Sequence, residues 1–398
     1  MTETATPTRA KVSDALFQNR RSVMITLGLE EEVQVVDARG ELVPHDFTGE
    51  LGGLRGEGAL DREIHRCVIE LKTRVCASVP DLVAALSTLR GQARHRAALQ
   101  GQQILIAGVH PTARWQEQAM HLGADFPHYT ALVAEYQDIA RSAFSFGMHL
   151  HLGFEPGVPR MAIMNRLRHV LPEVLALSAS SPFFEGRDTG LQSWRHSLLD
   201  RYPRMGTPEV WAGETDYQAH VQRLRRTGCI GPEQGLWQDL RLHHRYGTLE
   251  VRIMDTHPEL ARIGLIATLL KWEAETLEIE LRHGRAGPPW ERACIDENKW
   301  RARRHGLAAR WIDWDREEVF DTATRFERWW SRIAPRAAHA AERQFWEREL
   351  ADALAAGTFA DRLRVRVQGD ERWSSTLAWM IAQGEDDTMA LSHAEGWS

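Results

Sequence analysis

The sequence predicts an α+β fold: a curved, mainly antiparallel sheet packed by helices on one face and open on the other, with a helical C-terminal region. Three observations predict it. Separate strand-like runs alternate apolar residues with polar residues of the kind that bind ligands. The connections between those runs are long, which favours an α+β sheet over a regular βαβ array. From residue 258 to the end the pattern is mainly helical and rich in Ala, Arg, Glu and Trp.

The first run is "ITLGLEEEVQVVD" (25–37). Alternate side chains of a strand face opposite sides. Ile25, Leu27, Leu29, Val33 and Val35 therefore share one face, and Gly28, Glu30, Glu32 and Gln34 the other. Glu31 falls on the apolar face, which reads as a position near a sheet edge. Two carboxylates about 7 Å apart on one strand face suit a divalent cation. Taken alone, the stretch fits a solvated strand face equally well. "GMHLHLG" (147–153) repeats the pattern, with Met148, Leu150 and Leu152 against His149 and His151. "TLEVRIM" (248–254) repeats it again, with Leu249, Val251 and Ile253 against Glu250 and Arg252. One sheet face lining a cavity would carry Glu30, Glu32, His149, His151, Glu250 and Arg252 together.

A fourth segment, "REIHRCVIELKTRVC" (62–76), places Glu70 among Val, Ile and Leu, where an unpaired carboxylate is costly. A metal or an arginine would relieve it. Glu63 lies seven residues earlier and needs an intervening turn or bulge to reach the same site.

The remaining elements follow from local signals. "DARGELV" (37–43) reads as a hairpin turn and "LGGLRGEGAL" (51–60) as a glycine-rich loop. Residues 81–100 have a helical period with Asp81 as N-cap. A short strand covers 103–111, a helix 129–143, a strand 144–154, and a further helix 159–180 runs into a polar loop. Residues 225–235 read equally as a mobile loop able to cover the site and as a passive surface loop. Residues 1–22 read as a flexible leader without an apolar signal core, 23–310 as the catalytic unit, and 311–398 as helices packed on it.

The 398 residues carry a net charge of −6, which disfavours nonspecific nucleic-acid binding. No apolar run is long enough to span a membrane. The four cysteines form no CxxC pair, so a reducing cytoplasm is the expected setting and structural zinc is not expected. Lysine occurs only at 11, 72, 271 and 299, so an anionic ligand would be held mainly by arginine forks. The Trp-rich helical end reads mainly as core or interface and allows a homodimer without requiring one. Carboxylates with imidazoles and no thiolate favour Mg²⁺ or Mn²⁺. Added arginines favour a phosphate-bearing nucleotide. No GxxxxGK[ST] loop or kinase signature is present.

The motifs "GLEEE", "VIELKTRVC", "FGMHLHLG", "LSASSPFFEGRDTGLQSWR", "GTLEVRIMD" and "ENKWRARRHGL" occur in this order between residues 28 and 310. Together they resemble the carboxylate–amine ligases called glutamate–cysteine ligase type 2, of the glutamine-synthetase-like superfamily. The resemblance implies a funnel-shaped sheet holding Mg²⁺ and ATP, and amide formation through an acyl phosphate. The product usually assigned to the family is γ-glutamylcysteine. It implies metal ligands at Glu30, Glu32, Glu70, His149 and Glu250, with Glu63 as a further metal or substrate contact. It implies a nucleotide or phosphate contact at His151, a phosphoryl contact at Arg252, and substrate or phosphate clamps at Arg195 and Arg241. The motif around Arg304 matches too, without an implied role. Phe146 stands where relatives often carry cysteine and His128 where arginine is expected, which leaves the amine donor open. Two other readings share these residues: a metal-dependent amide hydrolase using His149, His151 and Glu30, and a non-catalytic nucleotide- or amino-acid-binding protein.

Overall fold

The computed structural model describes residues 24–45, 56–231, 235–243, 245–369 and 372–385. The leader and the start of the glycine-rich loop lie outside the described residues, as do positions 232–234 of the proposed covering loop and the last residues of the C-terminal region. The described strands are β1 (Thr26–Val36), β2 (Gly58–Arg62), β3 (Val68–Thr73), β4 (Gln103–Leu105), β5 (Gly147–Gly153), β6 (Phe183–Phe184), β7 (Arg187–Asp188), β8 (Leu240–Leu242), β9 (Leu249–Asp255), β10 (Trp311–Asp313) and β11 (Glu318–Phe320).

Seven of them form one sheet in the order β2-β3-β1-β5-β9-β8, with β4 also on β1. Every pairing in it is antiparallel. The predicted alternation holds along β1: Leu27, Leu29 and Val33 are buried, while Gly28, Glu30 and Glu32 are only partly covered. The apolar face of the sheet joins one large core with the helices Val79–Ala98 and Leu260–Arg282, through Leu82, Val83, Leu86, Ile263, Ile266 and Leu270. Fully burying one such aliphatic side chain stabilises by about 1.5–3 kcal/mol. The helix Leu260–Arg282 is buried on nearly every side because it lies between the helices Val79–Ala98, Arg160–Leu167 and Leu171–Ser178 and the C-terminal helices Thr322–Ile333 and Ala340–Ala356. The helices Phe359–Gly369 and Trp373–Glu385 pack in turn on the sheet edge at Leu105 and Val36.

Several local expectations need correction. Glu31 is not near an edge: β1 lies between β3 and β5, and the Glu31 carboxylate is fully buried. A buried carboxylate is tolerated only with a partner, and the Arg90 guanidinium supplies one. Asp81 is not the N-cap. Ser78 caps the helix by accepting from the Asp81 amide at 3.3 Å, with Pro80 in the first turn. Gly58–Leu60 belong to strand β2 rather than to the loop. The strand predicted over 103–111 ends at Leu105. The helix predicted over 159–180 breaks into Arg160–Leu167, a 3₁₀ turn at Arg168–Val170, and Leu171–Ser178. Pro172 gives the reason: it has no amide hydrogen and cannot continue a helical ladder. The helical C-terminal region also contains the β10–β11 hairpin. Its tryptophans turn mainly inward, with Trp272, Trp311, Trp329, Trp330 and Trp346 all buried, while Trp300 is exposed.

Candidate active site

The open face of the sheet gathers the predicted polar residues by register. Glu30 on β1 faces His149 on β5, and His151 on β5 faces Glu250 on β9. Arg241 on β8 faces Glu250, and Glu32 faces Glu70 on β3. The β5–β9 register slips between Met148 and Leu150, so β9 carries an extra residue opposite His149. Such a bulge re-aims side chains. Here it accompanies Arg252, whose amide donates to the Asp239 carbonyl at 2.7 Å and whose guanidinium reaches back to Glu250.

Ligand atoms of Glu30, His149 and Glu250 all lie within 4.8 Å of one another. His149 Nδ1 is 3.3 Å from Glu30 Oε2 and 4.0 Å from Glu250 Oε1. Burial and the nearby Arg252 cation push the His149 pKa down to about 4, so at neutral pH its ring keeps a free lone pair. Burial alone would raise the Glu30 and Glu250 carboxyls. Hydrogen bonds from His149 and His151 hold Glu30 well below the usual range, and Arg252 and Arg241 do the same for Glu250. Two ionised carboxylates and a neutral imidazole form a donor set that fits a hard or borderline divalent cation.

Around this set the other predicted residues take distinct positions. Glu32 accepts from the Gly147 amide at 2.7 Å. Glu63 sits in the turn between β2 and β3, the break that the sequence required. Burial and the charge of Glu32 push its carboxyl up to about 7. Among the protein's own side chains the partner of Glu70 is Lys72, 2.6 Å away on the same strand face, rather than an arginine. Burial, then the charge of Glu63, raises the Glu70 carboxyl well above its ordinary value. The Arg241 fork is committed to Glu250, with Nε to Oε2 at 2.7 Å and Nη2 to Oε1 at 3.1 Å, and its Nη1 donates to the Leu236 carbonyl. The His151 Nδ1 bonds the Thr248 hydroxyl at 2.8 Å, and its Nε2 faces Glu30 at 3.7 Å. Arg195 is almost fully buried over Gly147. A Cβ at Gly147 would come within 2.1 Å of its Nη2, so only glycine leaves the guanidinium its place. Arg304 donates outside this group, to the Gly190 carbonyl.

Two cavities flank the donor set, one reaching Glu30 and the other His149. The larger, of about 730 Å³, is lined by Gly28, Glu30, Lys72, Arg74, His151, Arg160, Arg245 and Tyr246 among others. The smaller, of about 170 Å³, is lined by Glu32, Glu63, Phe146, His149, Arg195 and Arg252 together with Gln238, Asp239 and an aromatic wall. Phe146 thus stands inside the smaller cavity. His128 is exposed, and its ring lies against Tyr129, whose hydroxyl faces Glu63 at 3.5 Å.

Sequence reasoning missed Lys72, Asp239, Gln238 and Lys299. Lys299 Nζ bonds the buried Asp239 at 2.7 Å, and His196 faces the same carboxylate at 3.3 Å. A signal was present: in a chain with only four lysines, two stand inside motif segments, "LKT" and "NKW".

A family model described as glutamate-cysteine ligase family 2 matches residues 26–376. A Herpetosiphon aurantiacus protein named as a glutamate–cysteine ligase 2 is 35% identical over 297 residues, covering 74% of this chain and 76% of the relative. A Sorangium cellulosum protein of the same name is 36% identical over 297 residues, covering 74% and 78%. Among solved structures, the glutamate–cysteine ligase of Francisella tularensis in complex with AMP superposes with a TM-score of 0.65 at 12% identity, over 94% of this chain and 95% of that one. A bifunctional glutathione synthetase from Pasteurella multocida gives 0.69 at 16% identity over 97% of this chain, which spans 54% of that enzyme. At these identities the structural likeness shows a shared ligase fold.

Proposed function

This chain belongs to glutamate–cysteine ligase family 2 and is an ATP-dependent carboxylate–amine ligase; from that premise we propose how its site divides the work. The nucleotide occupies the larger cavity, where Lys72, Arg74, Arg160 and Arg245 offer cations to its phosphates. The carboxylate substrate occupies the smaller one. The observation that carries this reading is the close grouping of Glu30, on the wall of the larger cavity, with His149, on the wall of the smaller, and the buried Glu250.

Glu30, His149 and Glu250 would hold a divalent cation, Mg²⁺ or Mn²⁺, which when bound neutralises the nucleotide's phosphates. The mutually repelling carboxylates Glu32, Glu63 and Glu70 offer surplus negative charge for a second one. Phosphoryl transfer asks the protein for positioning and charge stabilisation more than for covalent chemistry. Arg252 remains a cation, because Glu250 raises its pKa against the effect of burial, and it faces the phosphoryl group passing to the substrate carboxylate. Arg241 keeps Glu250 ionised and oriented. Arg195 clamps the substrate or its phosphate. The amine then attacks the acyl carbon, Arg252 and Arg195 steady the tetrahedral adduct, and phosphate leaves as the amide forms. Glutamate is the first carboxylate to test, and the amine is set by a pocket whose wall includes Phe146. We place the reaction in a reducing cytoplasm, and a homodimer is compatible with it.

The test is a phosphate-release screen over carboxylate–amine pairs with ATP and Mg²⁺. ADP formed only when both co-substrates are present is the expected result. Amide cleavage without nucleotide would replace this reading with a hydrolase, and tight ATP binding without turnover across the panel would replace it with a binding protein.

A further inference from the structure

Asp255, the last residue of β9, is fully buried and gathers three hydrogen bonds. Its Oδ2 accepts from the Ser180 amide at 3.0 Å and from the Ser181 hydroxyl at 2.7 Å. Its Oδ1 accepts from the Ser193 hydroxyl at 2.7 Å. Ser180 and Ser181 open the loop that carries the β6–β7 hairpin, and Ser193 closes it. One carboxylate therefore ties both ends of that loop to the sheet. Arg195 follows two residues after Ser193, and its amide donates to the Ser181 hydroxyl oxygen at 3.2 Å. A continuous chain of hydrogen bonds thus runs from the Asp255 carboxylate through the Ser181 hydroxyl to the backbone of Arg195.

The side chain of Arg195 comes back to the same spot. Gly147 faces Asp255 across the β5–β9 ladder, and the Arg195 guanidinium fills the space beside Gly147 that a Cβ would need. Its Nη1 donates to the Arg252 carbonyl at 3.3 Å, longer than an ordinary N–H···O bond. The aim of the guanidinium therefore depends on where the backbone of residue 195 is anchored. Asp255 is a fixed anchor: a Cβ on Gly108 would come within 2.6 Å of its carboxyl carbon, and the Gly108 amide is itself held by the Ser180 hydroxyl at 2.9 Å. Asp255 is on the wall of neither cavity. Its route to the site is through serine hydroxyls. We propose that Asp255 is a positioning residue: by holding Ser181 and Ser193 it sets the backbone of Arg195 and so fixes the guanidinium over Gly147, on the wall of the smaller cavity. The proposal rests on the reading of Arg195 as the clamp for the substrate or its phosphate.

Crystal structures test the geometry and need no substrate. In Asp255→Ala the Arg195 guanidinium should leave its place over Gly147 by about 1 Å or more, the scale of misplacement that impairs catalysis. In Asp255→Asn it should stay, because the amide oxygen can accept from Ser180 and Ser181 while the NH₂ donates to the Ser193 hydroxyl oxygen. If Asp255→Ala does not fold, Ser181→Ala/Ser193→Ala removes both hydroxyl links and is read in the same way. Phosphate release with ATP, Mg²⁺, glutamate and cysteine tests the consequence. Asp255→Ala should lower kcat by about 10²-fold and leave the KM for ATP unchanged, and Asp255→Asn should restore turnover. Arg195→Gln should also lose turnover, and adding Asp255→Ala to it should cost almost nothing more, because a residue that acts through another is not additive with it. A guanidinium unmoved in Asp255→Ala, or losses that multiply in the double variant, would overturn the proposal alone. A silent Arg195→Gln would overturn the clamp reading, and the proposal with it.

Discussion

Glu31 and Arg90 form a bidentate ion pair inside the core, with Arg90 Nε 2.8 Å from Glu31 Oε2 and Nη2 2.7 Å from Oε1. Glu31 also accepts from the Thr256 hydroxyl at 2.7 Å, and Arg90 donates to the carbonyls of His257 and Pro258. One side-chain pair thus joins the centre of the sheet to the helix Val79–Ala98 and to the segment that leaves β9. Its neighbour Glu30 points the other way, into the site. Adjacent glutamates therefore do opposite work, and the first prediction separates them.

Removing one member of a buried pair strands the other, at a cost of about 3–5 kcal/mol. Glu31→Gln should therefore lower the denaturation midpoint sharply. Glu30→Gln removes a carboxylate that the native state favours in its ionised form, through His149 and His151, and should lower the melting temperature by clearly less than Glu31→Gln while reducing turnover by about 10²-fold or more. Melting curves and phosphate release on the same two preparations check both halves. Equal destabilisation by the two changes would mean that Glu30 is structural.

His149→Ala should abolish turnover without loss of folding stability. Wild-type activity should vanish on chelation and return with Mg²⁺ or Mn²⁺. ATP with Mg²⁺ at about 100-fold over its dissociation constant should stabilise the wild type by about 2.7 kcal/mol. That metal-dependent share of the shift should be absent from His149→Ala in a thermal melt.

Gly147 is required by space rather than by backbone conformation, since its missing Cβ is where the Arg195 guanidinium lies. Gly147→Ala should displace Arg195 and cost turnover by about 10²-fold, the usual penalty for a misplacement of about 1 Å. The KM for nucleotide should change little, because neither Gly147 nor Arg195 lines the larger cavity. An unaltered kcat would show that Arg195 has no part in the reaction.

His110 supplies a pH dependence of stability. It is fully buried, with Nε2–H donating to the Gly40 carbonyl at 2.8 Å and Nδ1 accepting from the Ala113 amide at 3.1 Å. Burial pushes its pKa down to about 4, below the 6.5 of an unfolded histidine. Between those values the unfolded chain binds a proton that the native protein refuses. The contribution is therefore complete above pH 6.5 and is lost as the pH falls toward 4, with about 2 kcal/mol gone by pH 5. Urea midpoints at pH 7 and pH 5 should show a smaller fall for His110→Gln than for the wild type; identical falls would disprove the assignment.

The sequence by itself determined which residues share a face. Side-chain alternation with a period of two is a local property of the chain, so Glu30, Glu32, His149, His151, Glu250 and Arg252 could be assigned to one surface without coordinates. The ordered motifs supplied the ligase family on the same basis. Tertiary structure alone decided which of these groups touch. Cross-strand register set Glu30 opposite His149 and Arg241 opposite Glu250, and a bulge in β9 sent Arg252 back to Glu250. Register depends on pairings between separate segments, 119 residues apart for Glu30 and His149, which no local pattern encodes. Burial decided the rest. Glu31 looked like an edge residue because its partner Arg90 lies 59 positions away.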